Sequence, residues 1–142
     1  MFTIIAALIA APAITGDEHS VRLEHRGTPV DVTYRATTRL AVRQVGAVTA
    51  PGRPSTLRCT WRAHVHVDRV ARAGETVITR AIAGDTPITG TRAGWCSQQR
   101  KTIAEEVASR STEVREQMIA LAERDRTTVL AEIDMHRDRR GG

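Results

Sequence analysis

His64, His66 and Asp68 close a run, Leu57 to Asp68, in which nearly every second residue is apolar. On a β-strand such alternation sends the two sets of side chains to opposite faces. Leu57, Cys59, Trp61, Ala63, Val65 and Val67 take one side, and Arg58, Thr60, Arg62, His64, His66 and Asp68 take the other. Alternate residues lie about 6.6–7 Å apart along a strand, so two imidazoles in an H-x-H pair can converge on one Zn or Cu ion, with Asp68 less well placed. A third ligand would have to come from another element, and His19 and His25 are the candidates. The plainer alternative is two solvated histidines on a polar face, with no cofactor at all.

Arginine forms the second grouping. The chain has 20 arginines and one lysine, Lys101, a bias that fits a GC-rich bacterial genome. Residues 17–96 hold 12 arginines against 7 acids, a surplus of 5, while residues 97–142 balance 9 basic against 9 acidic groups. The net charge of +5 therefore belongs to the first segment. If Val30–Arg43 pairs with Leu57–Asp68, then Arg35, Arg39, Arg43, Arg58 and Arg62 share one open sheet surface, with Arg22 beside them. Guanidinium forks bind carboxylates and phosphates bidentately, so an anionic envelope component or an acidic protein is the expected partner. The alternative is a solubilising polar face. Nucleic acid is not expected, because sequence-tolerant binders stack bases on aromatic rings, and no Phe, Tyr or Trp shares that face.

Cys59 and Cys96 are the only cysteines. Cys59 falls on the apolar side of its strand, and Cys96 precedes the segment that should cover that side. A structural disulfide between them, closing a loop worth about 4 kcal/mol on the chain-entropy model, is the expectation. Trp61 and Trp95 sit beside the two cysteines, where they could wrap the bridge. There is no CxxC, GxSxG, HExxH, P-loop or GxGxxG context. Glu105, Glu106, Glu113 and Glu116 read as exposed helix acids. The pattern favours a binding or interaction module over an enzyme.

Positioning these groups falls to an α+β domain: an antiparallel meander of about four strands covered on one face by a single long C-terminal helix. Val21–His25 reads as a first strand, turned at Arg26-Gly27-Thr28. Val30–Val42 follows with apolar residues at the even positions, then a Pro/Gly loop over 46–56, then 57–68. Gly74-Glu75 leads into Thr76–Ala83, and Thr86–Arg92 adds a short edge. From Ser97 to Arg140 there is neither Gly nor Pro, and Ser97 is the expected N-cap of the helix. Ile103, Val107, Val114, Met118 and Leu121 share a face, interrupted by Arg110 and Asp125. Residues 103–122 are thus expected to pack on the sheet, and 126–140 to project, fray or meet a partner helix in a homo-oligomer.

Residues 1–13 read as a signal peptide, an apolar run ending in Ala11-Pro12-Ala13 with cleavage after Ala13, which places the domain of 14–96 and 97–140 in the periplasm or outside the cell. No later apolar run is long enough for a membrane span. Only 3% of residues are aromatic, so the core rests on aliphatic side chains and a covalent staple matters.

Overall fold

The alternation that marks the strands also sets their lengths. In a computed structural model, which describes residues 14–82 and 87–141, five strands run as β1 (Ile14–His25), β2 (Thr28–Val45), β3 (Arg58–Ala73), β4 (Thr76–Ile82) and β5 (Ile88–Ala93). Helices α1 (Cys96–Ser109) and α2 (Ser111–Gly141) follow. The leader expected over 1–13 lies outside the described residues. Every strand pairing is antiparallel, in the order β1-β2-β3-β4, with β5 also on β3. The α+β meander with its long C-terminal helical segment is the architecture expected from the sequence.

Two short turns hold the hairpins. His25 pairs with Thr28 across Arg26 and Gly27, whose φ values of 52° and 76° are those of a type I′ turn. Ala73 pairs with Thr76 across Gly74 and Glu75, and Gly74 at φ 61° supplies the left-handed position of a II′ turn. β4 pairs with β3 over Val67–Ala73 and β5 over Arg58–Ala63, so the two short strands lie end to end along one edge of β3.

The inner face carries the core: Val30, Val32, Tyr34 and Ala36 of β2 with Cys59, Trp61, Ala63, Val67 and Ala71 of β3. Against it pack Ile103 and Val107 of α1 and Val114, Met118, Val129 and Ile133 of α2. Cys59 and Cys96 are bonded, with Cα atoms 4.9 Å apart, so the start of α1 is fixed to β3. Trp61 is buried on the inner face, whereas Trp95 is 45% exposed.

Three expectations about the helix are corrected. It begins at Cys96, with Trp95 at the N-cap position and no side-chain cap. The Gln44 side chain serves the orphan donor instead: its Oε1 accepts from the Cys96 N–H at 2.7 Å, while its Nε2 donates to Arg58 O and Gly94 O. The helix is also broken at Arg110, where φ −97° and ψ 23° leave helical geometry. Ser109 Oγ donates back to Glu106 O at 2.6 Å, a bond that competes with helix continuation. Arg110 itself donates to Thr89 O, pairs with Glu113 through two hydrogen bonds, and lies over the Trp61 ring.

The third correction concerns residues 126–140, which do not project. Val129 and Ile133 are fully buried, and His25 and Arg26 at the first hairpin both reach Asp134. At about 3.3 Å per residue, the 18 residues of β2 extend some 60 Å, whereas the 31 residues of α2 span about 46 Å. The sheet is long enough to seat the whole helix, because β2 runs two to three residues past each end that its alternation suggested and β3 continues five residues beyond Asp68.

Candidate functional site

The helices cover one face of the sheet and leave the other open. The register of β2 on β3 pairs Arg35 with Asp68, Thr37 with His66, Arg39 with His64, Ala41 with Arg62, Arg43 with Thr60, and Val45 with Arg58. All five arginines singled out in the sequence are exposed and on the open face. The expected convergence of these side chains on one surface is thus present.

Their electrostatic surroundings differ along the strands. At one end, Arg35 donates to Glu18 at 3.1 Å and faces Asp68, and Arg22 lies 3.6 Å from Asp31. At the other end stand Arg39, Arg43, Arg58 and Arg62, none of which has a carboxylate partner among the described residues. Their neighbours on that face are Thr37, Thr60, His64 and His66, with Thr89, Thr91 and Ala93 of β5 continuing it. No acid occurs among these positions. A half-open hollow of about 710 Å³ lies here, lined by Arg43, Arg62, Thr60, Thr89 and Thr91. Gly90 contributes to its floor, and on the inner side the Trp61 indole packs where a Cβ at Gly90 would stand. Guanidinium donors and threonine hydroxyls around a basin without competing carboxylates can hold anionic oxygens.

His64 and His66 point to the same open face, flanked by Arg39 and Thr37. The other two histidines considered as partners lie opposite: His19 stacks on Tyr34, and His25 bonds Asp134 at 2.9 Å, both on the helix side. His19 and His25 are therefore removed as a third ligand, and among the described residues no three His, Cys, Asp or Glu side chains converge on a point.

Sequence reasoning passed over a second polar cluster, on the inner face. Arg69 occupies an apolar phase of β3 and is fully buried. Its Nη1 donates to both carboxylate oxygens of Asp125 at 2.7 Å, and its Nη2 pairs with Glu132. Arg80 of β4 reaches Glu132 from the rim at 2.6 Å, and Tyr34 Oη donates to Asp125 at 2.9 Å. Burial first, then the bond to Asp125, push the Tyr34 phenol well above its ordinary range. These contacts cross-link α2 to β2, β3 and β4, with Arg69 Nε left buried without a hydrogen-bond partner among the described residues. The signal was present: Asp125 interrupts the apolar stripe of the helix, and Arg69 stands at an odd position after Val65 and Val67.

Another hollow, about 270 Å³ between β1, β2 and α2, is lined chiefly by Val21, Leu23, Val32, Tyr34, Ile119 and Ala122. No described helix is long and apolar enough to cross a membrane. No family model, curated protein or solved structure matches this chain.

Proposed function

We propose that this chain is a non-enzymatic binding module that holds an anionic partner on its open sheet face. The observation that carries the reading is the group of four exposed arginines, Arg39, Arg43, Arg58 and Arg62, without a carboxylate partner beside this hollow. Elsewhere on the same face the arginines face acids, as Arg35 does Glu18 and Arg22 does Asp31. A face meant only to be soluble gains nothing from concentrating like charge, since adjacent unpaired cations repel. The Cys59–Cys96 bond supports work in a non-reducing compartment, so we place the module in the cell envelope or outside the cell.

The test compares Arg39, Arg43 and Arg62→Ala with a control of equal charge loss on the helices, Arg100, Arg115 and Arg139→Ala. A charge-assisted hydrogen bond contributes about 1.5–3 kcal/mol, roughly tenfold or more in affinity for each arginine. Capture of a phosphodiester oligomer, an oligouronate or an acidic peptide should therefore fall at least a hundredfold in the first variant and little in the second. Binding should also weaken steeply with salt. Equal losses in both variants, or salt-insensitive capture, refute the reading.

A further inference from the structure

The four unmatched arginines do not form a cluster; they form a line. Taking Ala41 and its partner Arg62 as origin, Arg39 lies two residues to one side on β2, and Arg43 two residues to the other. Arg58, four residues from Arg62 on β3, lies two residues beyond Arg43 in the same direction. The order along the strand axis is therefore Arg39, Arg62, Arg43, Arg58, alternating between β2 and β3. Each step is two residues, about 6.7 Å, and the lateral swing between strands is about 4.8 Å. The next positions of the same zigzag are His66 and Arg35, and there the Glu18 carboxylate closes the row.

A strand step of two residues contains six backbone bonds. A phosphodiester chain with three carbons between its ester oxygens also has six bonds from one phosphorus to the next, and so a similar extended reach of about 6.7 Å. Inorganic polyphosphate has only two bonds per repeat, too short for one anion per guanidinium. A polyuronate carries its carboxylates as substituents on rigid rings, at a repeat set by the ring. The face between the arginines offers threonine hydroxyls and Ala41, and the one aromatic residue lining the hollow, Trp61, is 2% exposed with its ring on the inner side, so a base has no open ring to stack on.

We propose, resting on the anion-binding reading above, that the open face binds a linear phosphodiester polymer of the polyol type. The chain lies along β2 and β3, with successive phosphates on Arg39, Arg62, Arg43 and Arg58. Thr60, Thr89 and Thr91 border the row on the β5 side; the Thr89 hydroxyl can donate to a phosphate oxygen, while Thr60 and Thr91, which donate to Arg43 O and Cys59 O, offer acceptor oxygens to polyol hydroxyls.

The experiment titrates the full chain with 1,3-propanediol phosphodiester oligomers of one, two, four and eight phosphates, followed by calorimetry. Affinity should rise at least tenfold between two and four phosphates and then level off. The slope of log K against log salt for the four-phosphate oligomer should be about −3, from roughly 0.7 ions released per phosphate. Arg58→Ala, at the end of the row, should lower the four-phosphate affinity several-fold and bring the slope to about −2. A single-stranded oligonucleotide of equal phosphate count should bind within threefold of the base-free oligomer. Affinity independent of length overturns the row while leaving a single-anion site standing. Tighter binding of an oligouronate of equal charge, or a large gain from bases, overturns the polymer class. No binding of any anion overturns both this proposal and the function it rests on.

Discussion

Asp125→Ala should be among the most damaging single changes in this protein, although Asp125 lies far from the open face. Arg69 is fully buried, and its Nη1 spends both of its contacts on Asp125, at 2.7 Å each. The same carboxylate accepts from Tyr34 Oη at 2.9 Å. Removing it strands a buried guanidinium on Glu132 alone and leaves a buried hydroxyl without an acceptor. Breaking a buried pair from one side costs about 3–5 kcal/mol, and the orphaned hydroxyl adds about 1–3, less whatever the two share. We expect a net loss of about 4 kcal/mol, a large part of the roughly 5–15 kcal/mol that holds a domain folded. With a urea slope of about 2 kcal/mol per molar, the unfolding midpoint should fall by about 2 M. The complementary variant, Tyr34→Phe with Arg69→Met and Asp125→Leu, replaces the group by apolar surface and should recover most of that loss, with Glu132 retained by Arg80. A midpoint shift below about 0.5 M for Asp125→Ala, or a triple variant as unstable as the single one, would refute the account of a buried network held by Asp125.

Other outcomes follow from the same geometry. Reduction of Cys59–Cys96, or its replacement by a pair of serines, should lower the unfolding free energy by about 4 kcal/mol, since the bridge closes a separation of 37 residues. Denaturation with and without a thiol reductant reads this directly. Ile133→Ala should cost about 2–5 kcal/mol because Ile133 is fully buried, whereas a projecting helix end would show almost no change in melting temperature. Gly90→Ala should destabilise by about 1–3 kcal/mol, the added methyl colliding with the Trp61 indole, and an unchanged urea midpoint would show that the ring can move aside. The Tyr34 phenol is raised in the fold above the ordinary tyrosine value of about 10, so its contribution is complete below that pH and declines as pH rises beyond it. Alkaline unfolding should thus steepen above about pH 10, and Tyr34→Phe should flatten that limb.

The strand faces were legible because alternation is a strict period: once Cys59 and Trp61 point inward, Arg58 and Arg62 must point out. The same rule read Val30–Val42 correctly and placed Arg35, Arg39 and Arg43 beside Arg58 and Arg62. Lengths were harder. β3 continues through Arg69, Ala71 and Ala73, where a buried arginine breaks the apolar pattern and hides the continuation. For a similar reason the distal half of the helix looked unseated. Asp125 reads as a polar intruder until its partner Arg69 is known, and Arg110 as another until its contacts with Thr89, Glu113 and Trp61 are seen. In each case a charge on an apolar face signalled a partner that lies far away in sequence, 56 residues for Arg69 and Asp125, which a local pattern cannot supply.

Arginine abundance alone does not explain where the arginines stand. Arginines without a carboxylate partner among the described residues also stand on the helices, Arg100, Arg115 and Arg139 among them, but on the sheet the pairing differs from one end to the other. Arg69, Arg80 and Arg92 meet carboxylates across the interface between sheet and helices, Arg110 meets Glu113 within the helical segment, and Arg22 and Arg35 meet acids at one end of the open face. On β3 the contrast falls within a single strand. Arg69 is drawn into the core because Asp125 and Glu132 offset the cost of burying its charge, while Arg62, seven residues earlier on the opposite face, is left in water among other cations. The acids of the open face, Glu18, Asp31 and Asp68, stand at its other end, and Asp125 and Glu132 serve the interface with the helix. An unscreened row of cations at even spacing raises the free energy of the isolated protein, and that penalty is relieved when an anion of matching spacing arrives. The position of the missing carboxylates, more than the number of arginines, is what points to a polyanionic partner.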